Sequence, residues 1–213
     1  MAGDRMLASR GAAMLHGQVE ALLPMLDAVM HEAGLAASAL HLIAVTTGPG
    51  SFTGIRVGLA AACGAAFAAQ LPVFGVTSFE ATTAVCLGGI AEGCLLTALE
   101  SRRADLYVQL FDLRGRPLGK PVAVLPEALP AAVAATVAGQ PLAIAGDAAG
   151  RAADALAGRL ATLVLQPAPP LAIGAARAAL ARWRQGERGG EPAPLYLRPP
   201  GVTLGPRPIT AAG

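Results

Sequence analysis

The residues best suited by type and spacing to do chemistry lie at 47–59, TGPGSFTGIRVGL, where a glycine turn passes into a helix. Gly48 and Gly50 permit backbone geometry barred to other residues, and Ser51 or Thr53 can cap the helix while its first N–H groups face outward. Such an end attracts anions, so Gly48, Gly50 and Ser51 form a candidate phosphate loop beside the plain reading of a structural turn. The GxGxxxG spacing fits neither the dinucleotide-binding pattern nor the P-loop.

Other constellations are thinner. Ser51, His16 and Glu20 supply the residue types of a nucleophile, base and acid, but no GxSxG elbow sets the imidazole against the hydroxyl. Glu80 and Glu100 could pair for acid–base work, although charged groups at strand ends ordinarily face water. Arg102 and Arg103 suit an RNA phosphate, a partner carboxylate or a solvated surface. His16 is expected at a helix start and His31 and His41 on solvent, with no short-spaced pair among them. Cys63, Cys86 and Cys94 form no CxxC. The sequence therefore predicts buried free thiols, no disulfide framework and no metal site, and assigns no catalytic residue.

The elements that position these residues alternate between strand and helix periods, which predicts an α/β protein. A β-like opening at 5–10 precedes a helix at 18–33, with Val19, Leu22, Leu23, Leu26 and Met30 apolar, Pro24 bending it and Gly34 closing it. A strand at 42–46, a helix at 53–69, a strand at 73–76 and a helix from 78 to about 87 follow. Strands at 94–99, 106–111 and 122–125 read as a meander. Helices near 130–137, 151–160 and 171–184 then alternate with strands at 142–145 and 162–165. The chain is expected to form two lobes, 1–100 and 101–213, with 195–198 lying against the body and the last ten residues loose.

Two helices carry a surface message. Gly54, Gly58, Ala61, Ala62, Ala65 and Ala69 recur at three- and four-residue steps, and small side chains let another helix approach closely. The first helix is apolar over more than a narrow stripe, as expected of a helix that packs on its own sheet and on something else. Val19, Leu22, Leu26, Gly54, Gly58, Ala62 and Ala65 are thus the candidate partner interface, with packing inside the chain as the other reading.

Composition bounds the rest. The 213 residues carry a net charge of +2, 54% hydrophobic and 14% charged residues, with mean hydropathy +0.54. That is enough chain for a real core, and too little positive charge to grip nucleic acid unaided. Residues 57–76 have Gln70 as their one polar side chain, but they are rich in Ala and Gly and Pro72 interrupts them; a core helix and a buried strand fit better than a membrane span. The first ten residues hold Asp4, Arg5 and Arg10 with no apolar run, so a cytoplasmic location is expected.

GPGSFTGIRVG at 48–58, following HGQVEALLP at 16–24 and a strand, resembles the signature of the bacterial TsaB (YeaZ) family of tRNA threonylcarbamoyladenosine modification. ESRRADLY at 100–107, with Glu100 in place of the usual Asp, and PLYLR at 194–198 are similar to two further family segments, and the resemblance spans 6–203. It implies a two-lobed actin-like, Hsp70-like (ASKHA) fold. It also implies a non-catalytic role as partner of the TsaD transferase, with TsaE as a further partner. tRNA would be met through the complex, and ATP and metal would sit on the partner subunits. Homodimerisation through the same helices is expected when TsaD is absent. Family members open on a strand of the type ILALDTS, absent here, so an open edge is expected in the first lobe. TsaD resembles this glycine turn and its helix but carries an HxxxH pair where this chain has Ser78 and Thr82, whose hydroxyls are poor ligands. An autonomous glycopeptidase or hydrolase, or an ATP-binding enzyme of the same fold, is the alternative.

Overall fold

A computed structural model describes residues 1–12, 14, 17–157, 162–165 and 171–198. Helix α1 (Gln18–Ala33) starts after Gly17, at φ +81°, and ends at Gly34, whose φ of +65° turns the chain. The Gly34 and Leu35 amides donate back to the His31 and Met30 carbonyls at 3.0 and 3.2 Å, satisfying groups the helix end leaves open. Strand β1 (Ile43–Gly48), α2 (Phe52–Ala69) and β2 (Val73–Thr77) form a parallel β-α-β unit, and this first sheet has two strands among the described residues.

The alternation of side chains across the sheet assigns its two faces. Val45 and Val73 meet Ile55, Leu59 and Ala66 of α2. On the other face, Phe74 and Val76 meet Ala81 of α3 (Ser78–Cys86) and Ala175 and Ala179 of α6 (Leu171–Arg184). Helix α3 is locked at its start by a reciprocal cap in which Glu80 N–H donates to Thr77 Oγ1 at 3.1 Å and Thr77 N–H to Glu80 Oε2 at 2.7 Å.

The second sheet has the order β5-β4-β3-β6-β7, from β3 (Cys94–Glu100), β4 (Leu106–Phe111), β5 (Val122–Val124), β6 (Leu142–Ala145) and β7 (Thr162–Leu165). The meander of β3, β4 and β5 is antiparallel, and β6 and β7 add parallel to β3. One face packs on α4 (Leu129–Val137) and α5 (Ala149–Leu156). The other receives Phe79 of α3 together with Leu195 and Leu197 of the tail. Helix α3 therefore serves both sheets at once.

A hydrogen bond of 2.8 Å between the buried Thr83 and Thr97 hydroxyls ties α3 to β3. Thr83→Val strands the Thr97 hydroxyl and is expected to lower the free energy of unfolding by about 1–3 kcal/mol, while Thr83→Val/Thr97→Val recovers most of that loss. Urea denaturation of the two variants measures the difference.

The β-like opening expected at 5–10 does not form. Ala2 and Arg5 close an isolated bridge, and Met6–Arg10 has no regular structure. A strand needs a neighbour for its amides, and among the described residues no strand pairs with this segment. Instead, Arg184 bonds both carboxylate oxygens of Asp4 at 2.9 Å and Arg10 lies 3.1 Å from Glu32. The expectation for the last ten residues falls outside the described residues, as do part of 158–170 and His16.

Candidate partner-docking site

The glycine turn is packed by the chain itself. Gly48 has φ +106°, and a Cβ there would lie 2.8 Å from Ile55 Cδ1 and 2.9 Å from the Leu195 carbonyl oxygen. Gly50 has room, with Ile55 at ordinary contact distance. The Ser51 hydroxyl accepts from the Gly54 N–H at 3.3 Å and so caps α2. The expected phosphate candidates thus include one glycine pressed against the tail, one open glycine and one hydroxyl engaged as a cap.

Beside this turn, a cleft of about 160 Å³ separates Gly50 and Phe52 from Ser101 and Arg103 of the loop after β3. The tail closes it. Leu195 N–H donates to the Thr47 carbonyl at 2.8 Å, the Tyr196 and Phe52 rings stand 5.5 Å apart, and Arg56 lies 3.7 Å over the Phe52 ring while donating to the Tyr196 hydroxyl at 3.3 Å. Asp105, with its side chain 3% exposed, accepts from Ser101 Oγ at 3.2 Å through Oδ1 and has Arg198 Nη2 2.9 Å from Oδ2 as an ion partner. Residues 195–198 lie against the body as the sequence predicts. Arg198→Ala leaves that carboxylate short of its counter-charge and is expected to cost about 1–3 kcal/mol, less than a fully enclosed pair because Arg198 reaches solvent. Chemical denaturation of Arg198→Ala against Asp105→Asn/Arg198→Ala, with the smaller loss expected in the double variant, measures it.

The apolar helices α1 and α2 leave much of their surface uncovered. No residue of α1 is buried: Val19 is 54% exposed, Leu23 65% and Leu26 44%, while Leu22 is half-buried. In α2, Ile55, Leu59 and Ala66 are buried on the sheet, and Phe67 is 88% exposed. The small-residue series divides around the helix. Gly58 and Ala62 turn toward β1, with a Cβ on Gly58 meeting Val45 at 3.8 Å, whereas Gly54 and Ala65 face outward.

Helix α2 is the one helix among the described residues long and apolar enough to cross a membrane, with 17% of it buried. The sequence-based expectation of a core helix is therefore corrected: the sheet covers one side and, among the described residues, the other side is left largely exposed. The same exposure corrects the expectation for Cys63, which faces solvent on α2; Cys94 is buried and Cys86 half-buried. Burial raises both of these thiols above their ordinary pKa, and they stay protonated at neutral pH.

The remaining candidates are dispersed. Glu80 is committed to its cap, and Glu100 accepts from Arg151 Nη1 at 2.7 Å. Ser78 is buried, and Thr82 Oγ1 donates to the Ser78 carbonyl at 2.9 Å, so its hydroxyl is used within α3. His31 and His41 are exposed, and Glu20 is exposed on α1. Among the described residues no three His, Cys, Asp or Glu side chains converge. Periodicity gave no sign of the Asp105–Arg198 pair or the Phe52, Arg56 and Tyr196 stack; their one sequence signal was that these residues fall within the three motif segments.

Residues 12–157 match the family described as TsaD, tRNA N6-adenosine threonylcarbamoyltransferase. The chain is 34% identical over 86 residues to the tRNA threonylcarbamoyladenosine biosynthesis protein TsaB of Haemophilus influenzae, covering 40% of this chain and 36% of that protein. It is 30% identical over 86 residues to the TsaB protein of Escherichia coli, covering 40% and 37%. The chain thus spans little more than a third of the length of the curated relatives it matches. Among solved structures, YeaZ from Pseudomonas aeruginosa superposes with a TM-score of 0.69 at 27% identity, over 87% of each chain. The fold is the two-lobed actin-like α/β architecture that the motifs imply. On these grounds the chain belongs to the tRNA N6-adenosine threonylcarbamoyltransferase family, and within it to the TsaB (YeaZ) proteins.

Proposed function

We propose that the chain is a non-catalytic subunit of a complex that forms threonylcarbamoyladenosine in tRNA, and that it docks on the TsaD transferase through α1 and the outer side of α2. The observation that carries this reading is the exposed apolar pair: a helix with no buried residue beside one with three, carrying Leu23, Leu26 and Phe67 outward. A monomer gains nothing by wetting that surface, and patches of this kind mark protein–protein contact. Gly54 and Ala65, facing out, allow a partner helix to approach the α2 backbone closely. The names of the TsaB relatives support the pathway.

The transfer chemistry, ATP and metal then reside on partner subunits. TsaE joins the same assembly in the cytoplasm, and tRNA is met through the complex. In the absence of TsaD the same face pairs two copies of this chain. Co-expression with TsaD followed by affinity capture and size exclusion tests the reading. A stable complex with one copy of each chain is expected, and two chains that elute apart would count against it. Assay of the purified chain alone for peptide cleavage and for ATP binding separates the proposal from the hydrolase and kinase-like alternatives.

A further inference from the structure

Basic residues are unevenly shared along this chain. Residues 1–93 hold three arginines against six carboxylates, whereas 94–213 hold thirteen basic against eight acidic residues. Part of the excess gathers around a groove of about 430 Å³ between α6, α3 and the turn that joins β4 to β5, lined by Arg114, Arg116, Arg177 and Arg182. Two of these have acidic partners: Arg116 Nε lies 2.8 Å from Asp112, and Arg182 Nε lies 2.8 Å from Glu187 while its Nη1 donates to the Gly75 carbonyl. Arg114 and Arg177 have no ion pair and no side-chain hydrogen bond among the described residues.

The acids around the groove are already spent. Asp112 Oδ1 accepts the Arg114 and Arg116 backbone N–H groups at 2.9 and 2.8 Å, which fixes the turn, with Gly115 at φ +76°. Burial alone would raise the Asp112 carboxyl, but these bonds and the Arg116 side chain hold it below its ordinary pKa, so it is charged and occupied at neutral pH. Glu80 is turned into its cap and Glu187 is held by Arg182. Arg177 also feels the Asp4 carboxylate, which Arg184 already holds through both oxygens. Arg114 and Arg177 thus border the groove without a direct ion partner among the described residues, and a guanidinium presents paired N–H donors that match a phosphate.

We infer that this groove is where the complex holds backbone phosphates of its RNA, with Arg114 and Arg177 as the contacting side chains. The inference rests on the proposed role in a tRNA-modifying complex. The placement suits it, because α6 and α2 lie on opposite faces of the first sheet, and α1 borders α6 at Ala172, Ile173 and Ala176, none of which lines the groove. The small net charge of the whole chain is consistent with binding that needs the complex.

The test uses the complex with TsaD, a fluorescently labelled unmodified tRNA transcript, and anisotropy titrations between about 50 and 200 mM salt. Arg114→Glu/Arg177→Glu is expected to weaken binding and to flatten the slope of log affinity on log salt by about two. Co-purification with TsaD and the thermal midpoint stay unchanged. Arg114→Gln/Arg177→Gln acts in the same direction with a smaller effect, and Arg102→Glu/Arg103→Glu leaves the slope as it was. An unchanged slope in an intact complex overturns the groove. So does an equal loss from the Arg102 and Arg103 variant with none from the groove, or full displacement of the transcript by inorganic phosphate, which marks a single-phosphate site. Failure of the unsubstituted chain to hold TsaD overturns the docking reading and the inference with it.

Discussion

Gly174→Val is expected to destabilise the protein by at least about 3 kcal/mol, an effect at the upper end of overpacking substitutions. Gly174 is buried in α6, where an ideal Cβ would overlap the carbonyl oxygen of Ala81 in α3. That carbonyl belongs to helix backbone and cannot rotate away, so the two helices must separate. Separation pulls Ala175 and Ala179 off Phe74 and Val76, opening a gap in the first sheet's core. For a chain of this size the loss corresponds to a drop in melting temperature of roughly 6–12 °C. Gly64→Ala provides the contrast. It sits in α2 with open space where its Cβ would go, and replacing a helical glycine by alanine there is expected to stabilise by about 0.5–1 kcal/mol. Thermal melts of the two variants should move in opposite directions; a common direction would show that the close approach of α3 and α6 does not govern stability.

Leu26→Asp and Phe67→Asp are each expected to weaken TsaD binding by about 100-fold or more while leaving the chain folded. Phe67 is 88% exposed and Leu26 44%, and neither belongs to a hydrophobic core cluster, so neither substitution removes core contacts. In the complex each would place a carboxylate without a partner in a desolvated apolar contact, a change on the scale of about 2–4 kcal/mol. Ala65→Leu probes the other requirement of the docking face, close approach, by raising a ridge on the outward side of α2. Gly58→Leu does not serve, because its side chain would press on Val45 beneath the helix and confound binding with folding. Affinity capture and titration calorimetry with each variant, alongside circular dichroism, measure the effect. Binding unaltered in both aspartate variants would place the contact elsewhere.

How much of this was legible depended on whether the signal was local. Helix α1 was closed by Gly34, α3 was expected to open at Ser78, and β3 through β5 read as a meander, and each formed within two residues of its expected limits. The opening at 5–10 misled because a β-like run does not make a strand without a neighbour to pair with. The recurrence of small residues in α2 was plain, but a pattern of glycine and alanine does not say which side meets the sheet. Gly58 and Ala62 went inward while Gly54 and Ala65 stayed out, and the bulky Ile55 and Leu59 decided the matter. The contacts of Arg198 with Asp105 and of Tyr196 with Phe52 join segments far apart in sequence, where periodicity carries no information.

The position of α6 has a bearing on how the protein is made. Its residues 171–184 complete the hydrophobic layer under β1 and β2, whose own residues end at Thr77. A ribosome therefore releases the amino-terminal half long before the piece that seals it has been synthesised. Until then Phe74 and Val76 have only the Ala81 side of α3 to cover them, and the nascent chain carries an apolar face that is sealed late in synthesis.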